Sequence, residues 1–271
     1  MTTKSIIKSD VFYFFALNLA SGFMLSAAHN VLYFVLDIKS LVTHFLHFFF
    51  TFGILSVFRA AKVIPQEKNE VSEDLKKAAY LKLLECLLAS NNSILKPANY
   101  LVIPFTIFVS ISWFEVGQIE YTTSSATAAV LLPFAKAASF ISFKKAYETS
   151  GKGHMDAFLL QYSRAASGCL LIPAIVSLSL SRVEVTASWE SIDFILILLS
   201  FLFMFCNVYS ELWLTLQLNQ NAFLSLDNSK FFLASIAQWI IQNMAHPNLI
   251  AFGGKIVAFA CLLRIVAQSY Y

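Results

Sequence analysis

Five charged side chains stand inside long apolar stretches of this chain. Lys136 sits in LLPFAKAASF, Arg164 in LLQYSRAASG, and Asp227 and Lys230 in FLSLDNSKFF; Glu211 closes the run 192–213. An ionised side chain within a bilayer costs about 3 kcal/mol on insertion scales, so such residues are paired or used. Lys136, Arg164 and Lys230 together would line a positive cavity at mid-membrane. A cavity of that sign suits an anionic solute, because Lys and Arg hold phosphate together with hydroxyl and amide donors. Tyr162, Ser163, Asn228 and Ser229 would supply those donors, and the Tyr162 ring could stack on a base or sugar.

Each charge also has a plainer reading. Arg164 and Glu211 could snorkel to an interface. Asp227 and Lys230, three residues apart on one helix face, could neutralise each other. Lys136 is harder to explain away, since it lies roughly two helical turns from either end of its apolar run. His44 and His47 share a helix face, but no acidic or thiol ligand accompanies them, so packing is preferred to metal binding. Cys86, Cys169, Cys206 and Cys261 are scattered without a CxxC pair and read as small buried hydrophobes. There is no Walker sequence, HExxH or GxSxG, and the loops are too short to assemble a catalytic set. An enzyme is not expected, nor is any cofactor or nucleic-acid partner.

The elements that would position these groups are apolar helices. Of the 271 residues, 58% are hydrophobic and only 13% charged, about half the charge of a soluble domain. Lipid accepts that much apolar surface; a soluble core does not. A spanning helix needs about 20 apolar residues. The runs 11–35, 41–64, 99–118, 122–143, 155–180, 192–213, 220–242 and 249–269 meet that need. The expected fold is an all-α integral membrane bundle of about 8 spans, with 8–10 as the range. It reads as a single membrane domain over 1–271, with halves 1–143 and 144–271. Between them in character is the polar segment 65–98. Its part 78–95, broken by Lys82 and Glu85, reads as an amphipathic surface helix rather than a span. Small-residue stretches such as SSATAAV and RAASG favour close helix packing.

Positive charges set the expected orientation. Lys4 and Lys8, the group from Arg59 to Lys82, and Lys144, Lys145 and Lys152 fall on one side if residues 96–144 form a hairpin of two spans. Both termini are then cytosolic. The sequon Asn91-Asn92-Ser93 would also be cytosolic and unmodified.

Several stretches resemble the nucleotide-sugar and sugar-phosphate transporters of the drug/metabolite transporter superfamily. AHNVLYFVLDIKSLVTHFLHFFFTFGI (28–54) is similar to that family's opening helix pair, with Asn30 at its Asn and Val31 where Lys is usual. LSLDNSKFFLASIAQWII with FGGKIVAFACLLRIVAQSYY looks like its last two helices. There Lys230 matches the family lysine, and Asn228 or Ser229 its polar neighbour. YTTSSATAAVLLPFAKAASF (121–140) is similar to the fourth helix, with Lys136 at its lysine after a few extra residues. LLQYSRAASGCLLIP (159–173) resembles the seventh, where a Phe-Tyr-Asn-Asn motif would fall on Gln161, Tyr162, Ser163 and Arg164 and only the Tyr is kept.

The resemblance covers about two thirds of the chain. It implies inverted repeats around a central substrate site, alternating access, and antiport of a nucleotide sugar against a nucleoside monophosphate in the Golgi or endoplasmic reticulum. It implies that Lys136, Lys230 and Arg164 hold phosphates, with Tyr162 and Asn228 at the base or sugar. The family has about ten helices, so this chain would be a shortened member. A non-transporting scaffold or partner subunit is the competing expectation, and a homodimer stays open as its assembly.

Overall fold

The computed structural model describes residues 10–22, 24–25, 40–65, 72–91, 123–150, 154–179, 191–219 and 223. Among these residues the only regular structure is helix. In chain order the helices are α1 (10–22), α2 (Ser40–Ala60), α3 (Glu73–Asn91), α4 (Thr123–Thr149), α5 (Met155–Ser179) and α6 (Ser191–Gln217). The expected spans 99–118, 220–242 and 249–269 lie outside the described residues, apart from Phe223. So do Asn30, Asp227, Asn228, Ser229, Lys230 and Cys261.

Three described helices are long and apolar enough to cross a bilayer: Leu41–Ala60, Met155–Ser179 and Leu198–Gln217. Twenty residues at 1.5 Å per residue give about 30 Å, the thickness of the hydrocarbon layer. Their outward faces suit lipid. On α6, Ile195, Leu198, Leu199 and Leu202 form one helical stripe and are all exposed, Leu198 at 70%. The inward side of the same helix buries Ser200 and Ser210 completely. A water-soluble helix turns its apolar stripe to the core; this one turns it outward. Ile172 and Ile175 do the same on α5.

The chain forms two compact units, each drawing on both sides of residue 143. The first comprises Met1–Ser90 and Ala135–Gln217, the second Asn91–Phe134 and Leu218–Tyr271. Most described residues belong to the first unit. Its core joins Phe48 and Leu55 of α2, Leu75 and Cys86 of α3, Phe143 of α4, Leu159 and Leu170 of α5, and Val208 of α6. α2 packs chiefly against α5 and also against α6.

Local chemistry marks the helix ends. Ser72 caps α3, its hydroxyl accepting from the Leu75 amide at 3.2 Å, and Glu73 and Asp74 complement the positive end of the helix dipole. α2 stops in a Schellman arrangement: the Val63 amide donates to the Phe58 carbonyl and the Lys62 amide to that of Arg59. Lys62 takes the left-handed backbone this requires, with φ 61°. α3 covers most of the segment 78–95 expected as an amphipathic helix, and it is not among the described helices apolar enough to cross a bilayer. Leu75, Ala78 and Cys86 are buried in the shared core while Tyr80 and Leu84 stay exposed, so one side of the helix is enclosed and the other open.

Candidate functional site

The charges of α3 explain how it fits there. Lys82 and Glu85, three residues apart on one helix face, pair at 3.0 Å. Their side chains are only 15% and 13% exposed. The Lys82 ammonium also reaches Glu211 of α6, with Nζ 3.6 Å from Oε1. The Ser139 hydroxyl and the Lys136 charge, both on α4, lie within electrostatic reach of Glu85. Lys136 sits at the centre of the 27 residues of α4. The Tyr162 phenol on α5 lies within electrostatic reach of Lys82, Glu85 and Glu211. Four helices of one unit therefore converge on two cations and two carboxylates.

Isolated charges would not survive this burial; paired ones with further hydrogen bonds do. The arrangement is electrically balanced, Lys82 and Lys136 against Glu85 and Glu211. Of the cations expected to line a positive cavity, Lys136 belongs to this set and Lys230 lies outside the described residues. The Lys136 charge acts on the Glu85 carboxylate. Arg164 is exposed and stays out of the cluster. The buried stripe of α5 runs Leu159, Tyr162, Ser163, Ala166 and Leu170, the spacing of one helix face, and Arg164 falls off that face. Glu211, read as a snorkelling interface residue, instead turns to Lys82.

Tyr162 and Ser163 are buried at 1% and 0% exposure. The Tyr162 ring is enclosed edge-on by Phe143 at 4.5 Å and Phe48 at 6.1 Å, with Phe158 stacked at 6.5 Å. Its faces are not open for stacking on a base; what it can offer a solute is its hydroxyl. The Ser163 hydroxyl has no hydrogen-bond partner. Helical serines commonly return their proton to the carbonyl of the preceding turn, as Ser210 does to Cys206 at 2.6 Å. A buried hydroxyl that does not do so costs about 1–3 kcal/mol.

A second polar contact ties α1 to α6. The fully buried Asn18 amide donates to the Asn207 carbonyl at 2.8 Å and to the Ser210 hydroxyl at 2.9 Å. Near the start of α5, the Tyr209 hydroxyl donates to Asp156 at 2.7 Å. His44 and His47 lie with ring centroids 6.4 Å apart, and among the described residues no three His, Cys, Asp or Glu side chains gather as metal ligands would.

Sequence reasoning missed Lys82, Glu85 and Ser139. The signal that could have found two of them is the Lys-Glu spacing inside an otherwise apolar helix, LKLLECLL. Comparison with protein-family models, with curated proteins and with solved structures finds no match to this chain.

Proposed function

We propose that the chain is a secondary-active transporter of an anionic, phosphate-bearing solute. The observation that carries this reading is the enclosed network of Lys82, Glu85, Lys136 and Glu211 inside a helical unit that turns apolar stripes outward. Charged groups held in such a place are expensive, and an ion or solute pathway is the use that repays them. The orphan hydroxyl of Ser163 adds a donor that no protein group uses.

The narrower form rests on the resemblance to nucleotide-sugar and sugar-phosphate transporters. It is antiport of a nucleotide sugar against a nucleoside monophosphate across the Golgi or endoplasmic-reticulum membrane. In this form the bundle has about eight to ten spans in inverted repeats, both termini are cytosolic, and Asn30, Asn228, Ser229 and Lys230 complete the site. The test is uptake of a nucleotide-sugar panel into proteoliposomes preloaded with nucleoside monophosphates. Exchange of at least one member, reduced in Lys230→Ala, is expected. No exchange of any member, or full exchange in Lys230→Ala, overturns the reading.

The charge balance of the network favours one other reading. A self-satisfied set of ion pairs can fasten helices without moving anything, as in a membrane scaffold or partner subunit. Stoichiometric co-purification of a second protein, with no solute-dependent thermal shift, would select it.

A further inference from the structure

The two carboxylates that meet Lys82 are not equivalent. Glu85 comes from the same helix, sits at 3.0 Å, is 13% exposed, and lies within electrostatic reach of Ser139 and Lys136. Glu211 comes from another helix, sits at 3.6 Å, and is 32% exposed. The first distance is a charge-assisted hydrogen bond; the second is an ion pair beyond hydrogen-bonding range. Glu85 is thus the fixed partner and Glu211 the exchangeable one. With Glu211 in place the set of Lys82, Lys136, Glu85 and Glu211 is balanced; with Glu211 turned away it carries one unmatched positive charge for an incoming anion.

We propose that the Glu211 carboxylate is an internal stand-in for the solute's phosphate, so that binding exchanges the Lys82–Glu211 pair for a Lys82–phosphate pair and unlatches α6 from α3. The inference rests on the transporter reading and adds to it how the site is kept closed when empty of solute. Glu85 stays on Lys82 throughout, keeping the ammonium aimed. Glu211, the more exposed of the two, moves to the wetter side. Coupling follows directly: the anion that opens the α3–α6 contact is the anion that is carried. A phosphate group can belong to a free solute or to a lipid headgroup, and the chemistry at Lys82 is the same for both.

Exchange of this kind has a measurable signature. A site whose competent form is a minor fraction binds more weakly by that fraction. Removing the competing charge restores it, so Glu211→Gln should bind inorganic pyrophosphate roughly tenfold more tightly than the wild type. The measurement is titration of the purified full chain in phosphatidylcholine nanodiscs, followed by thermal shift. Glu85→Gln should not gain affinity. The double variant Lys82→Met/Glu211→Met, which removes one charge of each sign and leaves Glu85 opposed by the Lys136 charge, should stay folded and lose pyrophosphate binding. Equal or weaker binding by Glu211→Gln, or retained binding by the double variant, overturns the proposal.

Phosphatidic acid in the nanodisc separates the two phosphate sources. Weakened pyrophosphate binding to Glu211→Gln marks a site reached by lipid, and unchanged binding a site reserved for free solute; either leaves the exchange at Lys82 standing. Uptake of the nucleotide-sugar panel is scored separately. Uptake without tighter binding by Glu211→Gln removes the stand-in and keeps the transporter. Tighter binding without uptake does the reverse.

Discussion

Ser163 and Lys62 each carry a cost that the fold could have avoided. The Ser163 hydroxyl is buried without a partner, worth about 1–3 kcal/mol against folding. Such violations are expected where function requires the group. Ser163→Ala should therefore raise the thermal midpoint of the detergent-purified protein, by the equivalent of about 1 kcal/mol, while lowering transport. Higher stability with full transport would make Ser163 a packing residue only. Lys62 holds a left-handed backbone at the end of α2, which costs a residue with a Cβ roughly 1–2 kcal/mol. Lys62→Gly should stabilise by about 1 kcal/mol, with no change in solute exchange, because the position lies outside the charge network. A lower midpoint in the glycine variant would contradict this. The chemistry of Tyr162, Ser163, Lys136 and Glu211 could be named from residue type alone. Their partners could not. Lys82 and Glu211 are far apart in sequence, and no local pattern in either segment announces the other.

At the level of helices, the contact between α1 and α6 offers a clean test of how polar groups join spans. Asn18 makes two hydrogen bonds to α6 and its side chain is fully buried. In water, losing both would cost about 2–3 kcal/mol. Between membrane helices the measured worth is smaller, about 0.6 kcal/mol on average, because the separated helices find other partners. Ser210 also keeps its bond to Cys206. Asn18→Ala should thus destabilise by about 1 kcal/mol, read as a denaturation shift in mixed micelles. A loss several times larger would mean that α1 docks mainly through this residue. Helix positions themselves were legible. The runs 41–64, 122–143 and 155–180 start within a residue or so of α2, α4 and α5, because hydropathy senses burial in lipid and in protein alike. Run 192–213 ended early: α6 continues to Gln217, with Leu214 and Thr215 buried. Hydropathy does not show, however, how segment 78–95 carries its charges. An averaged hydropathy counts Lys82 and Glu85 as two penalties, whereas side by side on one helix face they cancel most of each other's charge.

Across the molecule, the first unit combines lipid-suited outer stripes with an inner set of ion pairs, an order of polarity opposite to that of a soluble domain. Such an interior is stable only while its charges remain matched. The reading of the chain as a transporter turns on whether those charges serve a solute or only one another. Lys136 separates the cases most directly, since it lies at the centre of α4 and its charge acts on Glu85. The decisive measurement is the rate of nucleotide-sugar exchange in proteoliposomes for the wild type, Lys136→Met and the paired variant Lys136→Met/Glu85→Gln, the last removing one charge of each sign so that the set stays balanced. If the network handles the solute's phosphate, exchange falls at least about a hundredfold in both, as for losing a close charge–charge contact of about 3 kcal/mol, while the paired variant stays folded. Wild-type exchange rates in the paired variant would contradict the account and leave the network a fastening between helices.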